Sequence, residues 1–509
     1  MAAVEKLLTK LTIIGGGASA SLTIINLVKK IKQQPKPYTI TVIEQSNEFW
    51  KGIAWGNKSS INSLILTSVS EFLAEPEKEL FCNWVKKTLP EWSAYYKQNG
   101  GLLAEKWLEK NISLIQNNDW SNIYIPRFLF GNYLQQQLND ALQEAENNNI
   151  VISKIIGEAI NIHTQKNNSY QVSVQKQNGE IVEVISEKVV VAIGSAPQKK
   201  LLKDVSDKIL YINSFFHYSI NENLQLLKNK LANHQLKNIL IIGTNATALE
   251  LVYLLKENKE LNNLINKIVF LSTGGKFPLL TSKQQVTNFY TPHLSKIIEE
   301  NKYTINCLVN AASKDLQLSA TTHVQMDYVH YIIKTVKHLL LNLSWKDQEM
   351  FMAVHGNELS KIVRHAGEEY LTTLNNGINT NKFEIIKGSF ENINTTNNTA
   401  QLIYKNEENN LTTHNNIFSV VINCSGSANL QFTESVLLQN LISKGLCKIN
   451  LSNKGIEVNN HFETLPNLYF FGPLLNGNYT SKIPYWQLES ISRIIKLAPE
   501  FVNCLLQEN

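Results

Sequence analysis

Paired cysteines are the first thing this sequence lacks. The chain of 509 residues holds five cysteines, Cys82, Cys307, Cys424, Cys447 and Cys504, scattered without a C-x-x-C and without metal-type spacing. That excludes an electron exit through paired thiols and a cysteine metal centre, and it fits a reducing, cytoplasmic compartment. A dominant charge is missing too. Forty-eight Lys and Arg stand against 43 Asp and Glu, a net +5, so nothing demands nucleic acid or an anionic membrane as partner. No window approaches the roughly 18 uncharged apolar residues of a membrane helix. Met1 to Lys10 carries mixed charge and runs into a strand, which predicts neither a signal peptide nor an anchor. None of the eleven histidines forms H-E-x-x-H or pairs with cysteine at ligand spacing, so no metal is expected, and no G-x-S-x-G elbow is present.

What is there is a large core and two βαβ patterns. With 43% hydrophobic residues, the chain is long enough for two or three packed domains. Leu11 to Gly15 reads as a buried strand, Ala18 to Ile31 as a helix and Tyr38 to Glu44 as a second strand. Ser121 to Ala145 reads as a turn and an amphipathic helix; strands follow from Val151, ending in the apolar run Val189 to Gly194. The first pattern returns at Leu236 to Gly243, with a helix from Ala246 to Lys256 and a strand at Lys267 to Leu271. Val286 to Asn375 is mostly helical, with one apolar stripe along Tyr328 to Leu343. Strand-like text resumes at Phe383, Asn392 to Asn398 reads as a solvated hairpin loop, and a last helix spans about Trp486 to Leu497.

The strongest motif is Gly15-Gly16-Gly17-Ala18-Ser19-Ala20, a G-x-G-x-x-A between a strand and a helix. Gly15 permits the tight turn, Gly17 lets backbone approach a pyrophosphate, and Ala20 lets the helix lie close to the strand. The helix N-terminus offers unpaired N–H groups and partial positive charge to phosphates. Glu44 ends the second strand, where a carboxylate can accept hydrogen bonds from a ribose diol. In the second copy, Gly243-Thr244-Asn245-Ala246-Thr247-Ala248, Asn245 replaces the second glycine and crowds the pyrophosphate. Lys276 is the only cation near the end of the following strand. No carboxylate stands at Ser272, so a nicotinamide cofactor bound there is NADPH in preference to NADH.

Five further segments carry a resemblance. They are Val190-Val-Ala-Ile-Gly194-Ser-Ala-Pro197, Val421-Ile-Asn-Cys-Ser-Gly426, Ile125-Pro-Arg127 with Gly131, Tyr133 and Leu134, Gly52-Ile-Ala-Trp-Gly56, and Leu468-Tyr-Phe-Phe-Gly-Pro473. In order and spacing, over nearly the whole chain, they resemble the FAD/NAD(P)-binding flavoproteins with two dinucleotide domains, the group that includes N-hydroxylating and Baeyer–Villiger-type monooxygenases. Ile193 departs from the family's threonine, as Asn245 departs from its glycine. The resemblance implies an α/β fold of two Rossmann-like domains, with the FAD domain discontinuous and a mostly helical insert. It divides the chain into 1–200 (FAD domain, first part), 201–285 (NAD(P)-binding-like domain, first part), 286–378 (insert), 379–415 (return of the second domain) and 416–509 (FAD domain, C-terminal part). It places Gly15, Gly17, Ser19 and Glu44 around the ADP half of FAD, with Ala18, Gln45 and Ala159 also among the cofactor-binding residues. Trp50, Trp55, Arg127, Gly194 and Gly472 fall nearer the flavin or its pyrophosphate, and Gly243, Asn245 and Lys276 at the second nucleotide. Arg364-His-Ala-Gly367 resembles a basic segment of relatives, and an exposed helix end explains it equally.

The implied function is an NAD(P)H-dependent FAD monooxygenase acting on a small molecule at the junction of the FAD domain and the insert. The cofactor carries the oxygen chemistry, so no catalytic side chain is identified. A flavin oxidase or dehydrogenase that ignores NAD(P)H, and a catalytically quiet FAD-stabilised binding protein, stay open. Substrate, pathway and oligomeric state are not written in the sequence.

Overall fold

The computed structural model describes residues 6–31, 36–203, 209–215, 219–256, 258–282, 286, 288–321, 323–396 and 398–507. Residues 1–5, part of the N-terminal segment read above, lie outside that set. Two parallel sheets organise the chain. The first runs in the order Glu463–Leu465, Leu468–Phe470, Ile181–Val191, Lys6–Ile14, Tyr38–Glu44, Ile150–Ile156, with Glu158–Thr164 and Tyr170–Gln175 added as an antiparallel flank. The C-terminal strand Leu468–Phe470 pairs in parallel with Val189 to Val191, which makes this unit discontinuous in sequence. Strands buried on both faces need continuous apolar runs, and Leu11, Ile13, Val42 and Val189 to Val191 are fully buried.

The second sheet is all parallel, in the order Phe383–Lys387, Lys267–Ser272, Asn238–Ile242, Val420–Asn423, Leu210–Ile212. This corrects one expected boundary. The segment beginning at 416 was assigned to the FAD domain, yet Val420–Asn423 lies beside the first strand of the second unit, and the chain crosses back only after Gly426. A three-stranded antiparallel sheet, Ser389–Thr396, Thr399–Lys405 and Leu411–Phe418, covers the second unit through Ile393, Ala400, Leu402 and Phe418. The Asn-rich stretch is therefore mostly strand. Asn392 and Asn394 face solvent on an edge while Ile393 carries the packing, an alternation hidden by their loop-like composition; Asn397 lies outside the described residues.

The insert is helical as expected and has its own core of Leu294, Leu308, Leu316, Val336, Leu339 and Phe351. The apolar stripe lies on the helix Met326–Leu340. Trp486, expected at the start of the last helix, is instead buried in that core: its indole N–H donates to Ser360 Oγ at 3.0 Å, and its ring leaves no room for a Cβ at Gly356. The last helix is Ile491–Leu506 and runs through Pro499. Proline usually ends a helix, but burial of Ile494, Leu497, Ala498, Phe501 and Leu505 along the first helix, Ala18–Lys30, outweighs one lost hydrogen bond. Helices Glu77–Lys87, Leu89–Asn99 and Gly101–Gln116, unassigned from sequence, bury Phe81, Trp92, Tyr96 and Trp107 against the first unit. Among the described residues no helix is long and apolar enough to cross a membrane.

Candidate active site

The two glycine turns are built on one plan. In the first, Gly15 has φ +98°, its N–H donates to Ile43 O at 2.8 Å, and a Cβ on it would lie 2.5 Å from Ala192 O. In the second, Gly243 has φ +113°, its N–H donates to Leu271 O at 2.7 Å, and a Cβ would lie 2.3 Å from Cys424 O. Only glycine satisfies both the positive φ and the contact. The strands that press on the two turns end alike, in Gly194 at φ +84° and Gly426 at φ +92°, each with open space where a Cβ would stand. A phosphate-sized group can enter that space.

Gly17 and Asn245 are the N-caps of the helices Ala18–Lys30 and Ala246–Leu255, with φ −87° and ψ −163° in one and φ −87° and ψ −170° in the other. Neither helix has a side-chain cap. Each therefore presents backbone N–H groups and a partial positive charge, the arrangement that receives an anion. Because φ is negative at this position, the backbone accepts any residue. What glycine supplies at Gly17 is room: its Cβ would lie 3.4 Å from Gly52 Cα, and Asn245 fills the corresponding space.

At the first turn, Glu44 accepts from the Gly16 N–H at 2.8 Å and from the Ser46 N–H at 3.1 Å, which fixes its carboxylate at the mouth of the turn. A cavity of about 490 Å³ opens beside it, lined by Gln45, Ser46, Ile53, Lys58, Gly157 and Glu158 and by the 175–179 hairpin. The loop after the second strand folds over the turn. The Trp50 N–H donates to Gly16 O, Ser21 Oγ donates to Trp50 O at 2.7 Å, and Trp50 is held at φ +86°, an outlier for a bulky residue. From the other side, Gly472 (φ +97°) abuts Ser19, whose Oγ would be 2.5 Å from a Cβ there. Glycine-lined space, an uncapped helix and a fixed carboxylate beside a cavity fit a pyrophosphate and a ribose diol, the ADP half of a dinucleotide.

A model of the L-lysine 6-monooxygenase/L-ornithine 5-monooxygenase family matches residues 106–387, over half of the chain. The chain belongs to this family. An FAD-NAD(P)-binding model matches residues 12–196, the segment that carries the first turn. Uncharacterized proteins of Mycobacterium bovis and Mycobacterium tuberculosis are 29% identical over 507 residues, covering 97% of this chain and 94% of theirs. The fold is also that of the ornithine N-hydroxylase of Kutzneria sp. 744 (11% identity, TM-score 0.50, 98% of this chain and 99% of that one). It is shared with the FAD-bound cadaverine monooxygenase of Erwinia amylovora (11% identity, TM-score 0.50, 98% of this chain and 94% of that one). This family member is an FAD-dependent oxidoreductase, an NAD(P)H-dependent monooxygenase of a small molecule.

In this monooxygenase the structure gathers Gly15, Gly17, Ala18, Ser19, Glu44, Gln45, Ala159, Gly194 and Gly472 at the C-terminal edge of the first sheet. Trp50 flanks them, with Lys154 Nζ 5.2 Å from its ring. Trp55 and Arg127 have partners that no motif showed. The Trp55 ring sits in an aromatic cluster, 4.8 Å from Phe130 and 5.8 Å from Phe72, and its carbonyl fills the space a Cβ would need at Gly131. Arg127 forms a buried ion pair with Glu250, 2.8 Å away on the Ala246–Leu255 helix, and its Nε donates to Leu64 O at 3.1 Å. Burial works against the guanidinium's charge, and Glu250 outweighs it, holding Arg127 above its ordinary pKa.

At the second turn Gly243 and Asn245 stand as expected, and Lys276 is exposed on the loop beyond Ser272, its carbonyl accepting from Thr244 Oγ1 at 2.8 Å. Arg364 is not the exposed helix end that one reading offered. It is half-buried in a connection between the Gly356–Ile362 helix and the strand His365–Ala366, and its Nη1 donates to Asn245 Oδ1. Gly52, Lys58 and the 175–179 hairpin were also missed. The hairpin's Asn178-Gly179 turn is legible as a turn, but its place over the cavity depends on sheet order alone.

Proposed function

We propose that this monooxygenase N-hydroxylates a small primary amine, with FAD in the first dinucleotide unit and NADPH in the second. The family match carries the reading, because it spans the second glycine turn and the whole insert, where a substrate is selected. The ornithine N-hydroxylase of Kutzneria and the cadaverine monooxygenase of Erwinia, which share the fold, support an amine as substrate. The FAD-binding groups are Gly15, Gly17, Ala18, Ser19 and Gly194 at the pyrophosphate and Glu44, Gln45 and Ala159 at the adenosine, with Trp50 and Gly472 toward the flavin. The NADPH groups are Gly243, Asn245 and Lys276. Domain limits follow the sequence division, with the last crossing moved beyond Gly426.

Held by the pyrophosphate, adenosine and flavin-side groups named above, the flavin would supply the redox and oxygen chemistry of an NADPH-dependent hydroxylation. NADPH, a proton, O₂ and the amine give the hydroxylamine, NADP⁺ and water. The chain's own task is to hold the amine and exclude bulk water at the junction of the first unit and the insert. There Gly367 packs on the Tyr124 ring, and among the described residues Glu71 Oε2 and His365 Nε2 are buried without hydrogen-bond partners. Burial, and then Asp327, raise the Glu71 carboxyl above its ordinary value, a penalty that a cationic amine relieves.

The test is NADPH oxidation by the FAD-loaded protein with L-ornithine, L-lysine and cadaverine, with product mass read for one added oxygen. Hydroxylamine formation coupled to NADPH use is expected from at least one of them. NADPH oxidation that yields only hydrogen peroxide with every amine would refute the amine assignment. Failure of NADPH to reduce the flavin would return the oxidase and binding-protein readings.

A further inference from the structure

We propose that Arg364, delivered by the insert and held by Asn245, is the cation that binds the NADPH pyrophosphate. The proposal rests on the reading of the second unit as the NADPH site and assigns it a residue that neither motif contains.

Asn245 occupies the second-glycine position of the turn, where backbone and pyrophosphate come together. The near-identical dihedral angles at Gly17 and Asn245 show that the asparagine does not distort the turn. Its amide oxygen does not cap its own helix and is committed to Arg364 Nη1. An Asn at this point is therefore a bracket for a guanidinium, and the guanidinium replaces by charge what the missing glycine gave by close approach.

The route by which Arg364 arrives is specific. The strand His365–Ala366 pairs in parallel with Leu279–Thr281, and the Leu279 N–H donates to Arg364 O at 2.7 Å. Leu279 follows the Ser272 to Lys276 loop after Phe277 and Pro278, and that loop has no arginine of its own. Thr244 Oγ1 ties that loop to the turn through Ser272 Oγ at 2.9 Å. The small sheet thus brings Arg364 to Asn245, while Thr244 holds the Lys276 loop to the same turn.

The electrostatics of the free site are unfavourable as they stand. Arg364 is half-buried at the positive end of a ten-residue helix, and among the described residues no carboxylate lies within ion-pair distance of it. Its polar partner there is a neutral amide. Burial lowers the guanidinium's pKa, with Glu489 and Glu358 opposing from farther away. A dianionic pyrophosphate at the helix N-terminus satisfies helix and guanidinium together, through charge-assisted bonds. The 2′-phosphate is left to Lys276, on the loop at the end of the second strand.

The experiment is calorimetric titration of FAD-loaded protein with NADP⁺ and with NAD⁺. It compares wild type, Arg364→Gln, Arg364→Lys, Asn245→Ala, the Arg364→Gln/Asn245→Ala double variant and Lys276→Ala, each checked for flavin content and melting temperature. Arg364→Gln is expected to weaken NADP⁺ and NAD⁺ by the same factor, roughly tenfold to a hundredfold. Arg364→Lys recovers only part of this, since an ammonium cannot bridge amide and phosphate as a planar fork does. Asn245→Ala has a smaller effect that does not add to that of Arg364→Gln, because the two act as one unit. Lys276→Ala weakens NADP⁺ alone. Unchanged NADP⁺ affinity in Arg364→Gln overturns the proposal, and so does a loss confined to NADP⁺, which assigns Arg364 to the 2′-phosphate. Wild type that binds neither dinucleotide overturns the reading beneath it.

Discussion

Replacing Glu250 by Gln removes one charge from the pair that joins the two dinucleotide units, with almost no change of shape. The side chains of Arg127 and Glu250 are 13% and 1% exposed, so the pair sits outside the regime in which surface ion pairs count for little. The hydroxyl of Ser63, which donates to Glu250 Oε1 at 2.5 Å, keeps an acceptor in the glutamine, and the backbone around Leu64 is held by Tyr370. What is lost is the countercharge to a buried guanidinium, at a cost of about 3–5 kcal/mol. Arg127→Met strands the carboxylate and costs a similar amount. The double variant strands no charge and is expected within about 1–2 kcal/mol of wild type, a strongly non-additive cycle. Urea unfolding of the FAD-loaded protein, followed by tryptophan fluorescence, reads these differences. Single variants within about 0.5 kcal/mol of wild type, or losses that simply add, would refute the buried-pair account. The double variant also decides the role of Arg127: a folded protein that keeps FAD leaves it as a coupling residue, and a folded protein that loses FAD returns it to the cofactor.

Gly15→Ala meets both a positive φ and the Ala192 carbonyl, whereas Gly179→Ala meets the φ alone, with open space around it. Gly15→Ala is thus expected to abolish bound flavin, read as the absorbance ratio of purified protein, while Gly179→Ala costs about 1 kcal/mol and keeps it; equal behaviour of the two would contradict the steric account. His365 and His330 are both held below the ordinary imidazole value, first of all by burial. Between about 6.5 and their lower folded-state values the unfolded chain binds more protons, so stability falls as pH falls through that window. His365→Asn should flatten this slope in melts between pH 7 and 5, and an unchanged slope counts against the buried imidazole. Burial pushes the Cys82 thiol up to about 11 and those of Cys424 and Cys447 to about 12, while Cys504 is buried and Cys307 partly exposed. A chromogenic disulfide reagent should therefore modify one thiol quickly in the native protein and all five in urea, and rapid native reaction of several would show that the interior opens.

The glycine turns were legible in the sequence because their constraint is local. A strand, a residue with no Cβ and a helix N-terminus within a few positions leave few alternatives, and Gly15 and Gly243 meet the same steric wall. The repeated strand ends at Gly194 and Gly426, the helical insert and the flavoprotein class followed from patterns of the same short range. The partners of the charged residues did not. Arg127 lies 123 positions before Glu250, and Arg364 lies 119 after Asn245, so no local pattern relates either pair. Trp55 and Trp486 read as aromatics of a binding site or a helix until packing put one in a ring cluster and the other in the insert's core. Asn245 shows the division most plainly. By itself it reads as an obstruction to a phosphate, since a side chain stands where glycine leaves space. Only the small sheet that brings Arg364 beside it turns that side chain into a hydrogen-bond acceptor for a half-buried cation, because charge and distance, unlike backbone freedom, are settled by residues from elsewhere in the chain.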